Sequence, residues 1–191
     1  MTRIVAGLAR GRRLAVPRGE VTRPTSDRAR EALFSTVDGL VPLQGAHVLD
    51  LYAGSGALGL EALSRGASHA LFVEADARVA RTLRENVDSV GLAGATALVN
   101  TAQKVALAEP AGVSGAQSPY NIVFADPPYR LSAGELRAVL ADLHSAGWLA
   151  EQAVLVIERS ARDDPWLWPT SLRPIRDRRY GEAWLWYGRA P

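Results

Sequence analysis

The chain has 191 residues and a formal net charge of only +2, and its length suits one core domain with a small extension. It contains no cysteine, which excludes disulfide bonds and thiolate metal ligands, and its three histidines are too scattered to predict a metal site. No apolar run reaches the roughly 18 residues of a membrane span, and no stretch resembles a signal peptide, so we expect a cytoplasmic protein without a membrane partner.

Arginine is concentrated near the N-terminus. Residues 1–30 contain eight arginines against one glutamate and one aspartate. The runs 3–8 and 12–16 predict two short strands of a basic hairpin, and residues 17–24 predict a linker. A local excess of positive charge favours phosphate binding, although a solvated arm without a specific partner is the alternative.

The rest of the chain predicts alternating strands and helices. A first helix is expected from Thr25, Ser26 or Asp27 to about Val37. The predicted strands are 47–51, 69–74, 95–100, 121–125 and 152–158, the later helices are 57–65, 76–90, 102–107 and 133–146, and a closing hairpin is predicted from 173–180 and 182–187. Loops are predicted at 109–119 and 159–169; the second contains Trp166 and Trp168, for which packing is favoured over stacking on a base.

This alternation predicts an α/β fold with a parallel sheet wound on both faces. The closing antiparallel hairpin makes the sheet mixed, which is typical of the seven-stranded, Rossmann-like S-adenosylmethionine-dependent methyltransferase fold rather than of a dehydrogenase. We divide the chain into a basic β-hairpin extension, residues 1–24, and a methyltransferase domain, residues 25–191.

A glycine-rich turn follows the strand 47–51. Gly54, Gly56 and Gly59 have the spacing of the dinucleotide fingerprint, and Glu74 at the end of the next strand suits the ribose of either NAD or S-adenosylmethionine. Asp50 favours the second ligand, because a carboxylate repels a pyrophosphate and attracts an ammonium or sulfonium. Structural roles stay open: close helix–strand packing for Gly59 and helix capping for Glu74.

The third strand ends in Asn100-Thr101-Ala102, where many methyltransferases carry an acid that reads the adenine amino group; this chain has no acid there. Contact of these residues with adenine is therefore a hypothesis. The complete set of predicted cofactor-binding residues is Asp50, Tyr52, Ala53, Gly54, Ser55, Gly56, Glu74, Ala75, Thr101, Ala102 and Asp126.

The apolar strand 121–125 ends abruptly in Asp126-Pro127-Pro128-Tyr129. The two prolines lack N–H donors and cannot continue a sheet, so a carboxylate, stiff carbonyls and an aromatic ring lie at the edge where open α/β sheets bind ligands. Asp126 and the Pro127 carbonyl suit an exocyclic amine, and Tyr129 suits stacking on its ring. We predict these four residues as the catalytic set, with an ordinary capped turn as the alternative.

Several segments together resemble the bacterial 16S rRNA guanine-N2 methyltransferase family. They are residues 3–7, 11–14, the run Thr22-Arg23-Pro24-Thr25-Ser26-Asp27-Arg28 with its continuation to Phe34, residues 49–62 with the glycine turn, and Arg179-Tyr180-Gly181-Glu182. The similarity extends over nearly the whole chain. The Asp-Pro-Pro-Tyr motif is shared with DNA amino-methyltransferases and does not select the substrate.

The resemblance implies S-adenosylmethionine as cofactor and one guanine in a loop of the small-subunit rRNA head as substrate, in assembled or nearly assembled subunits. Arginines that position phosphates fit recognition of an exposed RNA loop, from which the target base must be extruded. The predicted RNA-binding residues are Arg3, Arg10, Arg12, Arg13, Arg23, Thr25 and Arg28. We expect a monomer without metal.

Three other functions remain open at this point. A DNA amino-methyltransferase (N6-adenine) would share the site but would usually need a recognition domain, for which the basic N-terminus leaves little room. A catalytically silent rRNA-binding assembly factor would keep the fold without the chemistry. An NAD-dependent dehydrogenase is the most distant alternative.

Overall fold

The computed structural model describes residues 2–17, 27–128 and 130–191. Within these ranges two very short strands precede a seven-stranded sheet with the order β5-β4-β3-β6-β7-β9-β8. The strands are β1 (Thr2–Arg3), β2 (Arg13–Leu14), β3 (His47–Leu51), β4 (His69–Glu74), β5 (Ala95–Val99), β6 (Tyr120–Ala125), β7 (Leu149–Ser160), β8 (Arg173–Tyr180) and β9 (Ala183–Arg189). The helices are α1 (Asp27–Asp38), α2 (Ala57–Ser64), α3 (Ala77–Val90), α4 (Ala102–Leu107) and α5 (Ala133–Ser145).

The sheet is buried on both faces because its central strands are continuous apolar runs. One core cluster joins the sheet to α1, α2 and α3, for example through Phe34, Leu60 and Leu83. The other joins it to α4 and α5, for example through Val105 and Leu140. This doubly wound architecture confirms the predicted α/β fold.

Strand register brings the predicted site residues to one edge. Strands β3, β4, β5, β6 and β7 are parallel, and Leu51 lies opposite both Val73 and Ala125. The residues that follow these strands therefore leave the sheet side by side at its carboxyl edge. The closing hairpin β8–β9 continues the sheet in antiparallel pairing, as predicted.

The basic hairpin is shorter than predicted. Strands were expected over residues 3–8 and 12–16, but the paired strands are only Thr2–Arg3 and Arg13–Leu14, with Ile4 hydrogen-bonded to Arg12 and Gly11 beyond them. The reason lies in α2, which captures the intervening amides: Glu61 accepts hydrogen bonds from the N–H groups of Val5 and Ala6 at 2.7 and 2.9 Å. Apart from Pro17, the predicted linker lies outside the described residues, as does the domain boundary after residue 24.

The tryptophans of the loop before β8 pack against the sheet. Trp166 is buried in the core cluster beside α5, and the Trp168 ring covers Gly188, where a side chain would overlap it. In the described part of the chain, no helix is long and apolar enough to cross a membrane. Over the same ranges, no group of three or more histidines or acids could hold a metal ion.

Candidate functional site

A large open cavity lies at the carboxyl edge of the sheet. Its volume is about 1140 Å³. Its wall combines the ends of β3, β4, β5 and β6 with residues of the N-terminal extension and α3. Predicted site residues that border it are Asp50, Tyr52, Ala53, Gly54, Ser55, Glu74, Ala75, Thr101, Ala102, Asp126 and Pro128. The cavity thus brings together both halves of the predicted site, whose residues are about 25 to 75 positions apart in sequence.

The glycine turn is held by the acid of the neighbouring strand. Glu74 accepts the N–H of Gly54 at 3.0 Å and the N–H of Asp76 at 2.8 Å. Gly56 has φ of 80° and is buried behind the cavity wall, where a side chain would overlap Leu83. Glu74 therefore holds the glycine turn through one oxygen and the segment before α3 through the other, while it also borders the cavity.

Gly59 serves close packing rather than ligand contact. It lies in the first turn of α2, and a Cβ at this position would overlap the ring of Phe72 on β4. Its N–H donates to Asp50 at 2.9 Å. The packing role that the sequence left open for Gly59 is the one that the structure supports.

Asp50 is a nearly buried carboxyl at the edge of the cavity, 2% exposed. Burial raises its pKa to about 8, the hydrogen bond from Gly59 lowers the pKa by less, and the charge of Glu74 raises it further. At neutral pH this carboxyl is therefore mainly protonated in the ligand-free protein. A cation placed beside it would favour the charged form.

Tyr52 occupies an unusual backbone conformation between Asp50 and the glycine turn. Its φ is 60°, a left-handed value that is rare for a bulky side chain and is often kept at functional sites. Its buried hydroxyl has no hydrogen-bond partner among the described residues. Burial, and to a smaller extent the charge of Glu135, raises the Tyr52 pKa to about 12.

The loop after β5 closes the far side of the cavity. Asn100 accepts the N–H of Thr101, and Thr101 caps α4 by accepting the N–H of Lys104 at 3.3 Å. Ala102 is buried. Thr101 thus has a structural role as a helix cap, and its predicted contact with adenine stays a prediction.

The segment after β6 is fixed at its far end. Leu131 donates its N–H to the Pro128 carbonyl at 2.8 Å, which closes a turn. Arg159 at the end of β7 donates to the Leu131 carbonyl at 3.0 Å and pairs with Asp163. Asp126 is exposed and Pro127 is buried, whereas Tyr129 lies outside the described residues. The carboxylate that the sequence singled out therefore faces the cavity on an anchored loop.

Sequence reasoning missed the residues that attach the extension to the site. Asn86 on α3 accepts the Ala15 N–H at 2.8 Å and donates to the carbonyls of Ala15 and Ser55 at 2.9 and 2.8 Å. Glu61 is fully buried and pairs with Arg65 at 2.8 Å. The available signals were a polar residue on the otherwise apolar face of amphipathic α3, Asn86, and a charged residue within the largely apolar α2, Glu61.

The candidate RNA-binding residues occupy different environments. Arg10, Arg13 and Arg28 are exposed. Arg3 pairs with Asp27 at 2.8 Å, and Arg12 donates to the Ser89 carbonyl at 2.9 Å. Two further candidates, Arg23 and Thr25, lie outside the described residues. The exposed arginines are available to an external anion, and the two engaged ones would first have to exchange a protein partner.

The charges around the glycine turn favour a cationic over a doubly anionic ligand. The carboxyl groups of Asp50 and Glu74 flank the turn, and Asp126 lies across the same cavity. Arg78, which also borders the cavity, is paired with Asp76 at 3.1 Å. A pyrophosphate at this turn would add negative charge beside these acids and would keep Asp50 protonated, whereas an ammonium group would favour the charged form of Asp50 and be stabilised by it.

Known proteins resemble this chain over most of its length. A family model described as conserved hypothetical protein 95 matches residues 2–189. Ribosomal RNA small subunit methyltransferase D of Escherichia coli (strain K12) is 42% identical over 156 residues, which cover 82% of this chain and 73% of that protein. The protein of the same name from Haemophilus influenzae is 35% identical over 181 residues, which cover 94% and 89% of the two chains. A solved structure described as "Putative methyltransferase yhhF from Escherichia coli" has a TM-score of 0.84 at 34% identity and covers 99% of this chain and 97% of its own.

Proposed function

Because the chain belongs to the ribosomal RNA small subunit methyltransferase D family, we propose that it transfers a methyl group from S-adenosylmethionine to the exocyclic N2 of a guanine in 16S rRNA. The observation that carries the proposal is the shared cavity, which is lined both by Asp126 and by the glycine turn with its flanking acids. An amine bound at Asp126 and a cofactor bound at the turn would therefore meet in one space.

The residues present fit S-adenosylmethionine. Asp50 and the backbone of Ala53 and Gly54 would hold its methionine end, and Glu74 would accept the ribose hydroxyls with the lone pairs not used for backbone amides. Residues 100–102 would line the adenine. When bound, the cofactor supplies a methyl group made electrophilic by the adjacent sulfonium. Its positive charges would also compensate the buried Asp50 carboxyl.

The chain's own contribution to the reaction is mainly positioning. Asp126 and the Pro127 carbonyl would accept hydrogen bonds from the guanine amino group and favour its pyramidal, nucleophilic geometry. Pro127 and the turn closed by Leu131 stiffen this arrangement. Tyr129 would stack on the purine. No strong base is needed, since the nitrogen becomes positively charged when it gains the methyl group and is then acidic enough to lose a proton to the nearby carboxylate or to water.

We further propose that the target lies in the assembled or nearly assembled small subunit. Exposed arginines of the extension and α1, such as Arg10, Arg13 and Arg28, would contact phosphates around the target loop. The extension itself borders the cavity through Thr2, Ala15, Val16 and Pro17. RNA held by the extension would therefore lie beside the base pocket.

An Asp126→Asn variant tests the chemistry. At saturating cofactor, we expect it to lose on the order of 10²-fold in methyl transfer to unmodified small subunits, because one carboxylate oxygen and the negative charge are removed from a preorganised acceptor. Full activity in this variant would rule out the proposed role of Asp126. A wild-type protein that binds subunits and transfers no methyl group would favour the silent assembly factor instead.

A further inference from the structure

We propose that the outer strand β8 is a second RNA-binding surface, which holds rRNA phosphates next to the target nucleotide; this inference rests on the proposed function. The strand contains four arginines and one aspartate in eight residues, and all five are exposed. Among the strands formed by the described residues, it pairs only with β9. The chain as a whole has a net charge of only +2, so this density is a local feature.

The strand direction places the C-terminal, arginine-rich end of β8 at the same edge of the sheet as the site. β7 is parallel to β6, β9 is antiparallel to β7, and β8 is antiparallel to β9. Strand β8 therefore runs in the same direction as β6. Ala125 is in register with Ile157, Ile157 with Trp186, and Trp186 with Asp177. The next residues, Asp126 and Arg178, therefore lie at the same level. Three strand spacings separate them, about 14 Å.

Arg176 and Arg178 share a face with the N-terminal extension. They lie opposite Tyr187 and Leu185, and directly opposed residues of antiparallel strands project to the same side. Both partners belong to the core cluster that contains Ile4, Leu14 and Phe34, which is the face covered by the extension and α1. A single RNA strand could therefore contact both basic surfaces without crossing the sheet.

Neither of these two arginines is engaged by the described part of the protein. Arg176 and Arg178 form no hydrogen bond or ion pair with another described residue. Asp177, the one acid of the strand, instead accepts a hydrogen bond from the Trp184 indole at 2.8 Å. On the opposite face, the Arg179 guanidinium stacks on the Trp184 ring at 3.8 Å, which holds a further cation in place.

Protection of a sheet edge is the competing explanation, because charged side chains discourage pairing with another chain. Edge protection needs charge of either sign, whereas phosphate binding needs positive charge. Replacement by glutamate therefore separates the two roles. Arg173 provides the matched control: it is an exposed arginine of the same strand, about 15 Å from Arg178 toward the opposite end of the sheet.

The experiment measures binding of unmodified small subunits across a series of salt concentrations, with cofactor affinity measured in parallel. For Arg176→Glu/Arg178→Glu we expect roughly tenfold weaker binding near 0.1 M salt and a salt slope reduced by about 1.5, since each lost phosphate contact removes about 0.7–0.9. We expect Arg173→Glu to bind like wild type and all variants to bind the cofactor equally.

Two results would overturn the inference while leaving the proposed function intact. In one, the double variant binds and methylates subunits with the wild-type salt slope. In the other, Arg173→Glu and Arg178→Glu weaken binding equally, which would indicate a general charge effect. A wild-type protein that neither binds nor methylates subunits would refute the proposed function and this surface together.

Discussion

The buried Asp50 carboxyl leads us to predict that cofactor affinity depends on pH, and its raised pKa gives the size of the effect. With a pKa of about 8, this carboxyl is about 99% protonated at pH 6 and about 50% protonated at pH 8 in the free protein. If the ammonium end of the cofactor binds the charged form of Asp50, binding at low pH must include the free-energy cost of removing the Asp50 proton. Affinity should therefore rise roughly 50-fold between pH 6 and pH 8, and binding at pH 7 should release about 0.9 proton.

Calorimetry with S-adenosylhomocysteine, which keeps the amino-acid end of the cofactor, measures the affinity directly. Repeating it in buffers of different ionisation enthalpy measures the number of protons released. The Asp50→Asn variant is the control, because its amide can still accept the Gly59 N–H but cannot titrate. We expect weaker binding by the variant, with no pH dependence in this range and no proton release. Wild-type affinity that does not change with pH, or an unaltered dependence in the variant, would refute this reasoning.

The same group sets a pH dependence of stability. A carboxyl whose pKa is raised in the folded state keeps a proton that the unfolded chain loses above its ordinary pKa of 3.8. Its contribution therefore destabilises the folded wild type progressively from about pH 4 to pH 8. Asp50→Asn should be more stable than wild type at pH 8 in urea unfolding, and the difference should shrink toward pH 5.

Two structural substitutions test how the site is built. Asn86→Ala should lower the free energy of unfolding by about 1–3 kcal/mol and also weaken cofactor binding, because it releases the glycine turn. The control is Asn121→Ala, which removes a similar hydrogen bond to a backbone N–H far from the turn. In paired unfolding and binding assays, the control should lower stability alone. Gly59→Ala should lower stability by about 1–3 kcal/mol through overlap with the aromatic ring on β4, whereas Gly112→Ala enters open space and should leave the melting temperature unchanged. Equal effects of both members of either pair would contradict the assigned roles.

Much of the fold could be predicted because its signals are local. The buried runs of β3 and β6, the glycine turn and the Asp76 cap of α3 are each encoded within a few neighbouring residues. The cap is observed, since Asp76 accepts the N–H of Arg78 at 2.8 Å. Parallel register then brings distant strand ends to one edge without further information.

The interactions that sequence reasoning missed connect residues far apart in the chain. The amides of residues 5 and 6 bond to Glu61 rather than to the partner strand, so local strand propensity predicted longer hairpin strands than the structure has. Asn86 joins residues 15 and 55, and no local pattern encodes that pairing. Similarly, the ionisation state of Asp50 depends on burial by surrounding elements, which composition does not reveal.

The most direct test of the central claim is methyl transfer from labelled S-adenosylmethionine to unmodified small subunits, naked 16S rRNA and duplex DNA, followed by nucleoside analysis. The account predicts label in N2-methylguanosine from the small-subunit particle, with less from naked rRNA. Label in N6-methyladenine from DNA would contradict the proposed substrate while leaving the cofactor site intact. Bound subunits without label in any acceptor would contradict catalysis itself.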